Sequence, residues 1–287
     1  MAVSVMAMSQ GCDKLGLGKN PAEPTGPPLT GSTIYYSAVG ASDANGVGSS
    51  VPCVPFDIDC GGGMGYVPVA TRQLKSQGFN VTLLNLGIPT AVIGRDFQTL
   101  GQQYNHVIAG NFIDQEMMFV QPNATVVTIF AGVNEVNVVT AALGGGAGGS
   151  DPNAYMDTQV KAFGTDYATL LAGVKTRAGS PRIVLLNVPN PAGLPYLARA
   201  SQSQRQAAQR IAVAMTKTVV NPLVSGGIAV VDLMCDARSY VTSNYSSDGM
   251  HPNDAGYAYI ASEVVRAITS ASYPAPQATC GQMTIAQ

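Results

Sequence analysis

The chain has 287 residues with a formal net charge of −2, 46% hydrophobic and only 11% charged residues, well below the roughly 25% charge of an average globular protein. This balance excludes general disorder, and without a Lys/Arg block it argues against nucleic acid as the main partner. No apolar run reaches the roughly 18 residues that a membrane span needs, and the length allows one large α/β domain or two small domains, with an ample core.

Residues 1–11 are small and apolar and end at Cys12. They lack a basic leading region and read as the tail of a longer export signal. The Gly11–Cys12 step resembles a bacterial lipoprotein cleavage site, which makes Cys12 a candidate for lipidation and membrane anchoring, although Ser9 and Gln10 depart from that pattern. A signal cut elsewhere with an incidental Cys12 is the alternative. Residues 13–31 are rich in Pro and Gly and read as a flexible tether. The expected organisation is therefore 1–31 as signal remnant and tether, and 32–287 as one folded domain.

Short, nearly continuous apolar runs follow at Thr33–Val39, Val81–Leu86, Thr125–Phe130, Arg182–Val188 and Ile228–Asp232. Strands of this kind are buried on both faces, as in a parallel sheet. Helical spacing occupies the stretches between them, at 65–77, 94–104, 111–120, 152–177 and 201–224, and closes the chain at 254–270. Alternating β and α segments predict an α/β sandwich with helices on both faces of the sheet. The glycine-rich run 144–150 reads as a mobile loop beside the third strand end. Residues 44–63 and 137–153 are the expected pocket-shaping loops.

Besides Cys12 there are four cysteines, which allow three pairings. Cys53–Cys60 would close a short loop, and Cys235–Cys280 would pin the C-terminal tail to the end of a late strand. An oxidising compartment is the setting for both, with free thiols as the alternative. No C-x-x-C occurs, so a zinc site is disfavoured.

In an open parallel sheet, ligands gather at the carboxyl ends of the strands. After the first strand, small residues surround Ser42 in Gly40-Ala41-Ser42-Asp43-Ala44-Asn45-Gly46. The second strand is followed by Asn85-Leu86-Gly87-Ile88-Pro89, where a glycine offers an N–H and close backbone approach. The third is followed by Gly132-Val133-Asn134-Glu135, whose amide can donate to a developing oxyanion or cap a helix. Near the C-terminus stands Asp248-Gly249-Met250-His251, one of only two His in the chain. That spacing lets a carboxylate reach the imidazole and fix its tautomer.

Taken in this order, the four segments resemble the SGNH-hydrolase superfamily, the GDSL-type esterases and lipases, over about residues 33–270. The resemblance implies a three-layer, flavodoxin-like α/β/α sandwich around a five-stranded parallel sheet. It implies Ser42 as nucleophile, His251 as base and Asp248 as the orienting acid. The Ser42 and Gly87 N–H groups and the Asn134 amide would form the oxyanion hole, with no metal or organic cofactor. The family's Gly-Asp-Ser is here Gly40-Ala41-Ser42, and its third block ends in Glu135. The Gly-Ala-Ser-Asp-Ala version is similar to that of bacterial exported members. The expected activity is hydrolysis of short- to medium-chain carboxylic esters. A carbohydrate O-acetylesterase shares the chemistry, and a non-catalytic surface binding lipoprotein is the reading from another class. The lack of Trp favours simple or lipid-like esters over sugars. Outside the four blocks, His106 reads as a helix-end residue and Asp57 and Asp59 as solvated loop acids; within the first block, Asp43 and Asn45 read as builders of the turn.

Overall fold

The computed structural model describes residues 26–287, so the expectations for residues 1–25, Cys12 included, lie outside the described residues. Five strands form the sheet: β1 (Thr33–Gly40), β2 (Asn80–Asn85), β3 (Val126–Phe130), β4 (Arg182–Leu186) and β5 (Ala229–Val231). Their order is β2-β1-β3-β4-β5, and every pair is parallel. Register aligns the carboxyl ends: Ala38 lies opposite Asn85, Gly40 opposite Phe130, Phe130 opposite Leu186 and Leu186 opposite Val231. Every residue of β3, the central strand, is buried, because helices cover both faces.

The helices are α1 (Ser42–Asn45), α2 (Tyr66–Ser76), α3 (Arg95–Gln103), α4 (Phe112–Gln115), α5 (Val133–Gly144), α6 (Pro152–Ala178), α7 (Gln202–Met215) and α8 (Asp254–Thr269). α2 packs on α8 in one layer, while α3, α5, α6 and α7 pack on one another in the other. Local chemistry sets their limits. α6 starts with the Asp151 side chain accepting from the Ala154 N–H and with Pro152 at its first position, and it ends at Gly179, φ 76°. Its buried Met156, Val160, Phe163, Tyr167, Leu170 and Val174 recur every three or four residues, one face of a helix turned to the core. Ser201 and Gln204 start α7 with a reciprocal capping box.

Three expectations need correction. Residues 133–144 form α5, so 137–153 is not one loop, and the glycine-rich run sits at the far end of that helix rather than beside the strand. Four valines, and polar residues that are themselves buried at Asn134 and Glu135, hid the helical period, since α5 is enclosed by its neighbours and also buries Val136, Val138, Val139 and Ala142. The expected helix at 111–120 divides into α4 and a 3₁₀ turn, Met117–Phe119, with Glu116 at the joint. The expected helix at 201–224 is regular only to Met215. A wider turn, Thr216–Val220, and a 3₁₀ segment containing Pro222 follow it.

Cys53 pairs with Cys60 and Cys235 with Cys280, each with Cα atoms 5.7 Å apart, as expected. Two such pairs indicate an oxidising environment. No helix among the described residues is long and apolar enough to cross a membrane.

Candidate active site

β1 ends at Gly40, and α1 begins two residues later with Ser42. This helix is one turn long and is closed by Gly46 in the left-handed region, φ 73°. The tight strand-to-helix reversal holds Ser42 above the sheet's carboxyl edge, beside the segments that follow β2 and β3.

His251 and Asp248 arrive from the opposite end of the sequence, in the loop that leads into α8. Asn253 anchors this loop: its Oδ1 caps α8 through the Ala255 and Gly256 N–H groups, and its Nδ2 donates to the Ser243 and Tyr245 carbonyls. Gly249, φ 72°, permits the turn between acid and base. The Asp248 Oδ1 accepts from the Ser246 hydroxyl at 2.9 Å and from the backbone N–H groups of Met250 at 2.8 Å and His251 at 2.9 Å. Its Oδ2 lies 2.6 Å from His251 Nδ1, and His251 Nε2 lies 2.9 Å from the Ser42 hydroxyl. Burial works to raise the Asp248 carboxyl, but the bonds from the His251 ring and from the His251 and Met250 N–H groups outweigh it and bring the pKa down to about 2. An ionised carboxylate only accepts, so Nδ1 carries the imidazole proton and a neutral ring presents a lone pair at Nε2 to the Ser42 O–H.

The other two blocks flank Ser42. Asn134 is buried in the first turn of α5 and does not cap it, for Gly132 holds that position. One of its two amide N–H bonds goes to the Ala91 carbonyl at 2.8 Å, which leaves the second free for a ligand. The Gly87 N–H donates to the Asn85 side-chain oxygen at 3.2 Å, a long bond that an oxyanion would have to share or replace. Gly87 presses on α1 so closely that a Cβ there would lie 2.7 Å from Asn45 Oδ1, 2.8 Å from Ala44 Cβ and 3.0 Å from the Ala41 carbonyl.

Sequence reasoning singled out the five site residues but missed their supports. Asn85 is fully buried and donates 2.7 Å to the Ala44 carbonyl while its oxygen receives the Gly87 N–H, so it joins α1 to the Gly87 turn. A polar side chain closing an apolar strand was the signal available. Two buried acids, Glu116 and Glu135, hold backbone N–H groups nearby; Glu135 closes the third block, where it stands as a departure from the family's acid, and Glu116 belongs to no recognised pattern. Asn45, expected to build the turn, is buried there with neither side-chain polar atom hydrogen-bonded. Asp43 faces Tyr257, whose hydroxyl donates to the Val47 carbonyl at 2.7 Å, and burial raises the Asp43 carboxyl while His251 opposes it. His106 follows the end of α3, where its backbone N–H bonds to the Gly101 carbonyl at 2.8 Å. Asp57 folds its own turn by accepting from the Asp59 and Cys60 N–H groups, and Asp59 pairs with Lys75 at 3.8 Å. Among the described residues, no group of His, Cys, Asp and Glu is arranged to hold a metal ion. A small, mainly apolar cavity is lined by Asp43 and Met250, the sequence neighbours of Ser42 and His251, with Phe130, Val133, Leu194 and Tyr259 among others, and by none of Ser42, Asp248 and His251 themselves.

A hydroxyl, an imidazole and a carboxylate thus stand in series, beside backbone and amide N–H groups, at the carboxyl edge of a parallel sheet in an α/β/α sandwich. The sequence matches the GDSL-like lipase/acylhydrolase family over residues 38–259, and the chain belongs to that family. It is thus an ester hydrolase by family. Solved structures share the fold at low identity. An extracellular lipase from Streptomyces rimosus is 16% identical with a TM-score of 0.54, the match covering 83% of this chain and 100% of that one. The lipase Lip_vut3 from a goat rumen metagenome is 16% identical with a TM-score of 0.53, covering 83% and 98%. Axe2, an acetylxylan esterase from Geobacillus stearothermophilus, is 14% identical with a TM-score of 0.51, covering 87% and 98%. Comparison with curated proteins gives no match.

Proposed function

We propose that the protein hydrolyses short- to medium-chain carboxylic esters through an acyl-enzyme on Ser42. The observation that carries this reading is the unbroken series from Ser42 Oγ through His251 to Asp248, with its links of 2.9 and 2.6 Å. A serine hydroxyl is a weak nucleophile at neutral pH, and an adjacent base activates it. His251 Nε2 takes the Ser42 proton as Oγ bonds to the ester carbonyl carbon, and the carbonyl π electrons move to oxygen. The Ser42 N–H, the Gly87 N–H and the free Asn134 amide hydrogen are the donors for that oxyanion. Asp248 holds the imidazolium in orientation without taking its proton. The tetrahedral species then collapses, the alkoxide leaves with the proton from Nε2, and an acyl-Ser42 remains. Water attacks this ester by the same route in reverse roles, releasing acid and restoring the hydroxyl. No step calls on a metal or an organic cofactor.

The two cysteine pairs favour an exported enzyme, periplasmic, surface-bound or secreted. The test is hydrolysis of p-nitrophenyl esters from acetate to palmitate, beside acetylated xylan, with Ser42→Ala as control. Fast turnover of the shorter chains, lost in Ser42→Ala by a factor on the order of 10⁴ or more, is the expected result. Activity on acetylated xylan far above the simple esters would move the substrate to carbohydrate. A folded protein silent on all of them would leave a binding role.

A further inference from the structure

Glu116 is completely buried, yet it lies in neither the sheet nor the segments that carry the triad. It occupies the joint between α4 and the following 3₁₀ turn. Its Oε2 accepts from the Gly40 N–H at 2.9 Å, two residues before Ser42. The Ile88 N–H, next to Gly87, is also directed at this carboxyl while it bonds to the Gly40 carbonyl at 3.2 Å. The topology explains why an acid is needed there. β2 accompanies β1 only as far as the Ala38–Asn85 pair. Beyond it, the Ile88 N–H still reaches the Gly40 carbonyl at 3.2 Å, but no carbonyl of the segment after β2 accepts the Gly40 N–H. The carboxyl of Glu116 supplies the missing acceptor.

The segment bearing Glu116 is itself tied down. Gly110 accepts from the Val92 N–H at 3.1 Å, Phe112 donates to the Val92 carbonyl at 2.9 Å, and Ile113 donates to the Ile93 carbonyl at 3.2 Å. The same stretch gives its Ala91 carbonyl to Asn134 and its Ile93 N–H to Glu135. One hydrogen-bonded frame therefore joins the ends of β1, β2 and β3, and Glu116 is its contact with the first two.

We propose that Glu116 is a positioning residue for catalysis, fixing the Ser42 turn and the Gly87 turn relative to each other so that their N–H groups converge on one oxyanion. The proposal rests on the triad reading above. Burial drives the Glu116 carboxyl above the ordinary carboxylate range. Its other oxygen has no hydrogen-bond partner. A glutamine presents the same shape and the same accepting oxygen. An aspartate is one methylene too short to reach Gly40 from the same backbone position, and a leucine accepts nothing.

The experiment compares Glu116→Gln, Glu116→Asp and Glu116→Leu with the wild type and Ser42→Ala, reading kcat and KM on p-nitrophenyl acetate and Tm for each. A misplacement of about 1 Å costs on the order of 100-fold in rate. Glu116→Asp and folded Glu116→Leu are therefore expected to lose about 10- to 100-fold in kcat with KM changed little, and Glu116→Gln to restore kcat to within about threefold. If Leu does not fold, Asp and Gln decide. A wild-type kcat in Glu116→Asp, or in folded Glu116→Leu with only Tm lowered, would make the residue merely structural and overturn the proposal. A tenfold loss in Glu116→Gln would also overturn it, because the accepting oxygen would then not be what matters. Activity surviving in Ser42→Ala would instead bring down the triad reading, so the two failures are distinguishable.

Discussion

Glu135 stands next to Asn134 and makes stability depend on pH in a calculable way. It is the third residue of α5 and is 1% exposed. Its carboxyl accepts from the Ile93 N–H and reaches back to the N–H of Gly132, the residue that caps the helix. Burial dominates these bonds, with the Asp166 carboxylate adding repulsion, and raises the pKa from 4.5 to about 7. The folded state then holds a proton that the unfolded chain gives up between pH 4.5 and 7. Stability from this source is full below pH 4.5 and is lost as pH rises through 7. The whole span is worth about 3 kcal/mol, and some 2–3 kcal/mol of it, roughly, falls between pH 5 and 8. Asp166 titrates in an overlapping window, because burial and then Asp96 raise it to about 6, so the wild type alone would confound the two. Glu135→Gln keeps an accepting oxygen and cannot ionise. Urea unfolding of both proteins at pH 5, 6, 7 and 8 gives the difference in ΔG that belongs to Glu135. The wild type should lose about 2–3 kcal/mol against the variant from pH 5 to pH 8. A difference that stays flat, or that moves in favour of the wild type towards alkaline pH, would show that the buried carboxyl is not held neutral.

Three other perturbations test the site and its frame. Asn134→Ala removes one of the three proposed oxyanion donors, with an expected kcat loss of about 100- to 1000-fold on a p-nitrophenyl ester. It also removes the bond to Ala91, so a Tm lowered beside the kinetic loss is expected. Gly87→Ala places a methyl group 2.7 Å from Asn45 Oδ1 and 3.0 Å from the Ala41 carbonyl, next to Ser42. Rates should fall at least tenfold in the folded variant, while unchanged kinetics would mean that the turn tolerates the displacement. For the disulfides, the chain-entropy argument gives about 4 kcal/mol for Cys235–Cys280, separated by 45 residues, against about 2–3 kcal/mol for Cys53–Cys60, separated by 7. Double Cys→Ala variants followed by denaturant unfolding should rank in that order. The reverse order would place the main stabilising effect in the short loop's packing.

The five strands and most helices were legible because each has a periodicity that the core imposes. A strand covered on both faces reads as a short β-branched run, and α6 shows its buried face every three or four residues. α5 was not legible for the complementary reason. Enclosed by other helices, it needs no polar face, and its valines carry no helical signal of their own. The breaks at Glu116 and after Met215 also escaped notice, since they depend on what the chain meets in space rather than on a local stop.

The site divides along the same line. Ser42, Asp248 and His251 could be proposed from the sequence because the reaction needs specific residue types at specific strand ends, whatever lies around them. The residues that hold those ends together obey no such demand. Asn85, Glu116 and Glu135 are polar groups whose necessity arises only when the strands stop and their backbone N–H and C=O groups need partners inside the core. Any acceptor of the right reach could answer that need, so no motif announces it. Sequence patterns therefore point to the groups proposed to react in this hydrolase, whereas the frame that spaces them is visible only from where each buried backbone hydrogen bond goes. That difference is what the Glu116 and Glu135 variants measure.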